Sequence, residues 1–187
     1  MELLEREAVP RPMLAKVNSA ALQGVESYRI RVEVNLGSGL PAFSVVGLAE
    51  GAVREGRERV WAAIQNSGLR IPPRKITVNL APADVRKEGS AFDLPLAIGL
   101  LAGSGEVPLQ SVEGKAFVGE LGLDGRLRPV RGALSIAEAC RRGGLDTLVL
   151  PAENALEAAV VAGLEVVGAS TLLEVMGHLK GTCPLSP

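Results

Sequence analysis

Two stretches decide how this chain folds: Lys87-Glu88-Gly89-Ser90-Ala91-Phe92-Asp93-Leu94-Pro95 and Gly125-Arg126-Leu127-Arg128-Pro129-Val130-Arg131-Gly132-Ala133-Leu134. Each runs from a looping or extended segment into a helix. In the first, Gly89 supplies a backbone conformation that residues with a side chain resist. Asp93 stands where a helix begins, the place for a cap or for a negative charge on the helix dipole. Residues 93–101 are apolar nearly all round, the pattern of a helix buried between layers, and Pro95 is tolerated in its first turn. In the second stretch, Asp124-Gly125 is a turn dipeptide that joins strands 116–123 and 126–130 into a hairpin. Residues 132–142 then read as a helix ended by Gly143-Gly144.

Outward from these stretches the pattern is mixed. Residues 15–24 and 25–35 read as an antiparallel pair, because Tyr28, Ile30, Val32 and Val34 alternate with Arg29, Arg31 and Glu33. A strand follows at 42–46, and the clearest helix spans 48–67, with Val53, Val60, Trp61 and Ile64 near one face. Its charged residues, Arg59 among them, are expected to point to water, and Gly68 is placed to stop it. Strands are expected at 75–80, 147–150 and 164–167, and helices at 153–162 and 171–179, the last with the capping-box spacing of Thr171 and Glu174. This is an α+β domain with a mixed, partly parallel sheet and packed helices. Residues 1–12 read as a flexible N-terminal extension, 13–180 as the domain and 181–187 as a linker.

Composition narrows the function. Apolar residues make up 47% of 187, enough for a packed core. Aromatic residues are only 3%, which argues against stacking platforms for single-stranded nucleic acid. The net charge of −1 gives no global footprint for nucleic acid, but two stretches are locally basic. One holds Arg70, Arg74, Lys75, Arg86 and Lys87 against Asp84, and the other Arg126, Arg128, Arg131, Arg141 and Arg142 against Glu138. Cys140 and Cys183 suggest no disulfide framework, and no apolar run is long enough to span a bilayer, so a cytoplasmic protein is expected. The only histidine is His178, which with two distant cysteines argues against a zinc site. Gly114-Lys115-Ala116 lacks the hydroxyl and glycine spacing of a P-loop, so no nucleotide or other cofactor is expected on these residues.

The two opening stretches resemble the active-site segments of the Lon-type serine protease domain. Laid on that pattern, the nucleophile position falls on Ala91 and the general-base lysine on Leu134. A neutral apolar residue cannot take a proton from a nucleophile, so no catalytic residue is expected. Ser90 and Ser135 are each one residue out of register, and Lys87 is expected to be solvent-exposed.

Further segments resemble the N-terminal domain of the ComM/YifB family of magnesium-chelatase-like AAA+ proteins. They are residues 13–26, Leu40-Pro41-Ala42-Phe43-Ser44-Val45-Val46-Gly47-Leu48, Glu55-Gly56-Arg57-Glu58-Arg59-Val60, residues 76–89 and Leu150-Pro151-Ala152-Glu153-Asn154. The resemblance implies a Lon-protease-like fold of the ribosomal protein S5 domain 2 type, followed by an AAA+ module that alone would take ATP and magnesium. It implies a hexameric branch-migration helicase linked to natural transformation and recombination. The domain's partners would then be DNA, its own AAA+ module and neighbouring subunits, with no membrane. Arg70, Arg74, Lys75, Arg86 and Lys87 are the candidate DNA contacts, through phosphates rather than bases. The alternative is an oligomerisation or docking module without DNA binding.

Overall fold

The computed structural model describes residues 13–187 except Val25, 48–50, Arg86 and Glu88, and only the backbone of 51–54. The expected extension at 1–12 lies outside the described residues.

Long alternation of apolar and polar residues builds the centre of the sheet. β1 (Met13–Gln23) and β2 (Glu26–Gly37) pair antiparallel along their whole length, Val17 opposite Val32. β2 pairs antiparallel with β4 (Lys75–Ala81), whose other edge carries β3 (Ala42–Val46) in parallel. On the far side β5 (Lys115–Phe117), β8 (Thr147–Pro151) and β9 (Glu165–Ala169) run parallel to β1. The seven strands lie in the order β3-β4-β2-β1-β5-β8-β9. The period of 2 sends Ala15, Val17, Ile30, Val32, Val34 and Leu36 to one face. That face is covered by α1 (Gly51–Asn66), α2 (Asp93–Gly103) and α5 (Leu172–Lys180). α3 (Ala133–Arg142) and α4 (Ala155–Ala158) close a second core over Ala20, Ala116, Leu148 and Leu150 on the opposite face. The result is a mixed sheet with helices on both sides, as the sequence pattern requires.

Every residue of α2 is buried, as a helix apolar on all sides must be. Gly99 and Gly103 let it lie against β2, since a Cβ there would meet Val34 Cγ2 at 2.6 Å and Leu36 Cδ1 at 2.7 Å. α1 ends as expected at Gly68 (φ 74°), with the Leu69 amide donating to the Ile64 carbonyl at 3.1 Å. α5 has its capping box: the Glu174 amide donates to Thr171 Oγ1 at 3.1 Å, and the Glu174 carboxylate accepts from the Ser170 amide at 2.7 Å. Gly181 (φ 71°) stops α5, and Leu185 folds back to donate its amide to His178 Nδ1 at 3.1 Å.

Two expectations change. Residues 116–123 are not one strand of a hairpin. β5 stops at Phe117 inside the large sheet, and the hairpin is reduced to β6 (Glu120–Leu121) and β7 (Leu127–Arg128). The cause is Gly119, whose N–H donates to the Ala91 carbonyl at 2.9 Å and whose carbonyl accepts from the Leu94 amide at 3.0 Å. The α2 entry takes the place of a sheet neighbour. The helix expected at 153–162 shrinks to α4 after a 3₁₀ turn at Ala152–Asn154. Leu156 and Val160 face solvent, and the buried side is a narrow line of Asn154, Ala158 and Val161 that ends before Gly163 turns the chain (φ 81°).

Candidate functional site

The two opening stretches meet in space. Gly89, Ser90 and Ala91 form one wall of a cleft of about 290 Å³, and Pro129, Val130 and Arg131 form another. Ala20, Ala21 and Leu22 at the end of β1 and Ile136 of α3 supply the apolar floor. Gly89 has φ 88°, the left-handed region that its place in the motif requires. The Val130 wall is pinned by buried Asn154, which accepts from the Val130 amide at 2.9 Å and donates to its carbonyl at 2.9 Å. This gives the Leu150 to Asn154 segment a structural reason.

The cleft brings together Ala91, Ser90 and Glu120. Ala91 carries no hydroxyl. Leu134 sits at the start of α3, half exposed, and its amide donates to the Glu157 carboxylate at 3.2 Å. The Ser90 hydroxyl donates to Glu120, whose other oxygen accepts from Arg128 at 3.4 Å. Ser135 lines a different depression, with Ser27, Glu138 and Arg142, so it shares no site with Ser90. Among the described residues, Arg131 is the only cation in the cleft lining.

Two charged residues behave otherwise than the sequence suggests. Asp93 keeps the expected place for a charge on the helix dipole, as the acidic residue in the first turn of α2, but makes no cap bond. Its carboxylate, only 4% exposed, accepts from Arg59 Nε at 2.8 Å, Arg59 Nη2 at 3.1 Å and the Leu121 amide at 3.1 Å. A residue in the first helical turn can reach sideways to a guanidinium on the packed neighbour, and here that bidentate contact replaces capping. Arg59 therefore points into the α1–α2 seam and not to water. Burial pushes the Asp93 carboxyl above its ordinary value, against the pull of Arg59 and the Leu121 N–H, while the bond to Asp93 raises Arg59. Gly56 makes room for the pair, since a Cβ there would lie 2.6 Å from Asp93 Oδ1.

Lys87 is the second correction. It has no exposed surface, and its Nζ donates to the carbonyls of Gly47, at 3.1 Å, and Pro82. The ammonium ties two loops together, so it is not free to meet a phosphate or a cleft proton. Burial lowers its pKa, opposed by Asp84.

The remaining basic candidates do not share one face. Arg86 lies outside the described residues. Lys75 alternates with buried Ile76 and belongs to the helix-free face of β4, next to Ala42 and Gly37. Arg70 and Arg74 lie on the other side, at two depressions separated by Trp61. Arg57, which the sequence reading left as a solvated charge, joins them with its guanidinium 5.1 Å from the Phe43 ring centroid. The second basic stretch is split between the hairpin (Arg126, Arg128), the cleft (Arg131) and the end of α3 (Arg141, Arg142). Arg57 and Trp61 stand one helical turn apart on α1, and that i, i+4 spacing is the signal that could have found the pair.

Among the described residues no group of His, Cys, Asp and Glu could hold a metal, and no helix is long and apolar enough to cross a membrane. Cys140 is buried and Cys183 exposed, both as free thiols.

The sequence that builds this mixed sheet and cleft has known relatives. The chain belongs to the family described as Subunit ChlI of Mg-chelatase, which its residues 32–154 match. It is 42% identical to Competence protein ComM of Haemophilus influenzae over 168 residues, covering 90% of this chain and 33% of ComM. It is 43% identical over 168 residues to YifB of Salmonella typhimurium, again 90% of this chain and 33% of the relative. This chain is thus homologous to the ComM/YifB AAA+ proteins and spans about a third of their length. Lon protease 2 of Bacillus subtilis is 23% identical over 153 residues, which cover 80% of this chain and 26% of the protease.

Proposed function

We propose that residues 13–180 are a degenerate Lon-like domain of the ribosomal protein S5 domain 2 type, acting without catalysis in a ComM/YifB-like AAA+ ATPase. Its work is to help assemble a ring and to hold DNA. The observation that carries the non-catalytic half is the cleft between Gly89 and Arg131, whose lining among the described residues contains no lysine and offers Ala91 where the resemblance would put a nucleophile. A serine nucleophile needs a base within hydrogen-bond reach; Arg131 cannot serve because a guanidinium stays protonated, and the Glu120 carboxylate that accepts from Ser90 is already engaged by Arg128. The similarity to Lon protease 2 supports the fold half of the reading.

In this reading ATP and magnesium belong to an AAA+ module and not to these residues. The DNA half is supported by Arg70 and Arg74, which line neighbouring depressions together with Arg57. Their contacts would be to phosphates, giving grip without sequence choice. The H. influenzae relative is named a competence protein, and on that name the reading extends to natural transformation.

Dispersal of the other basic residues favours a second reading, a docking module whose contacts are all with protein. Lys87 is buried and Lys75 faces away from Arg74, which leaves a smaller cationic surface than the sequence promised. Two assays separate the readings. An unfolded protein substrate should stay intact in the presence of this chain, and turnover lost on Ser90→Ala would end the non-catalytic reading. Sedimentation at several concentrations, with and without a DNA fork, should show a DNA complex. Self-association with no DNA complex would favour the docking module.

A further inference from the structure

We propose that Trp61, Phe43 and the arginines around them form a docking point for single-stranded nucleic acid. One base stacks at Trp61 while Arg57, Arg70 and Arg74 hold the adjoining phosphates. The inference rests on the DNA-contact reading above and names its chemistry.

The chain has only three Phe, one Trp and one Tyr, so finding the Trp and a Phe together, both half-buried at one edge, is a concentration. Phe43 lies in the edge strand β3 and Trp61 in α1, with ring centroids 6.3 Å apart and planes at 85°. The edge-to-face contact fixes both rings. Arg57 stacks over Phe43, so a guanidinium plane is already held beside the aromatic surface. Pro41, Pro72, Pro73 and Arg74 close a cavity of about 190 Å³ against the rings. That is below the ~300 Å³ at which small-molecule sites begin, so it suits one flat ring better than a whole ligand. On the other side of Trp61 a groove continues along Ile64, Gly68 and Leu69 to Arg70. A strand crossing Trp61 would therefore meet a cation on either side.

Charge selects the partner. Among the described residues, the one ion pair made by Arg57, Arg70 or Arg74 is that of Arg57 with exposed Glu58 at 3.8 Å, a solvated and weak contact. A proline-rich peptide also seeks an aromatic groove, but it has no use for three arginines. Low aromatic content argued against stacking across the chain as a whole. Placement reverses that conclusion at this one spot.

Trp61 is the only tryptophan, so its emission reports on this site alone. The experiment titrates the chain with oligothymidylate while following Trp61 emission and, with labelled oligonucleotide, anisotropy. Saturable quenching that weakens with salt is expected. Trp61→Leu, which keeps apolar packing on Phe43, should weaken binding roughly tenfold or more, and Trp61→Phe should keep most of it. Arg57→Ala leaves the rings in place and should also weaken binding, which guards against a folding defect in the tryptophan variants. Normal anisotropy with unmoved emission and wild-type affinity for Trp61→Leu would overturn this inference and leave DNA contact standing. No binding at low salt would overturn both. Quenching by a polyproline peptide but not by oligothymidylate would overturn it in favour of a peptide site.

Discussion

Replacing Arg59 with Met should be among the most destabilising single changes available in this domain. The substitution keeps most of the aliphatic stem but removes the guanidinium that faces Asp93 at 2.8 and 3.1 Å. Asp93, at 4% exposure, is left with only the Leu121 amide as a partner. Breaking a buried pair from one side costs about 3–5 kcal/mol, and because Arg59 is 26% exposed the lower end, about 3 kcal/mol, applies. At ~2–4 °C per kcal/mol for a domain of this size, Tm should fall by roughly 6–12 °C. Adding Asp93→Asn should recover most of the loss, since the amide still accepts from Leu121 and no charge is buried. The pH dependence has a definite sign. Burial already raises the Asp93 carboxyl above 3.8, and without Arg59 it rises further. A carboxyl raised in the folded state contributes stability that is present at low pH and lost as pH climbs through the folded value. The deficit of Arg59→Met should therefore narrow as pH falls from neutral toward 4. Urea unfolding followed by circular dichroism at pH 7.5 and 5 measures both. A cost under about 1 kcal/mol, or a deficit that ignores pH, would refute the reasoning.

Gly56→Ala should also destabilise, by about 1–3 kcal/mol in urea unfolding, because the new methyl meets Asp93 Oδ1 at 2.6 Å and overrides the helix-propensity gain. Asn154→Ala strips the Val130 amide and carbonyl of their partners; a loss of roughly 2 kcal/mol and faster amide exchange at Val130 are expected. A thiol reagent should titrate one cysteine in the folded chain and two in guanidinium, because Cys183 is exposed while burial pushes the Cys140 thiol up to about 12.

Much of this architecture was legible in the sequence because it is written in periodicity. The alternation in 25–35 and the all-round apolar run 93–101 each admit one kind of element, and both formed as read. Glycines also spoke plainly, since Gly68, Gly89 and Gly144 each take the left-handed region at a boundary. What stayed hidden is decided by partners distant in sequence. Asp93 looked like a cap because its position fits one, and only the packing of α1 on α2 turned it toward Arg59. Lys87 looked solvated because lysine usually is, and only the two carbonyls of Gly47 and Pro82 explain its burial. The hairpin strand failed for a similar reason: the bonds between Gly119 and the α2 entry lie outside any local window. The basic stretch 70–87 reads as one run along the chain, yet β4 begins only at Lys75, Arg74 precedes it in the depression beside Trp61, and Lys87 is buried.

If Arg57, Arg70 and Arg74 form the DNA-holding surface proposed above, the salt dependence of oligonucleotide affinity reports it. Each phosphate contact on a single strand contributes about −0.7 to the slope of log K against log salt, so the three arginines predict a slope near −2. Arg70→Ala with Arg74→Ala should bring that slope toward about −0.7. Affinity that does not respond to salt, or a slope the double variant leaves unchanged, would contradict the account.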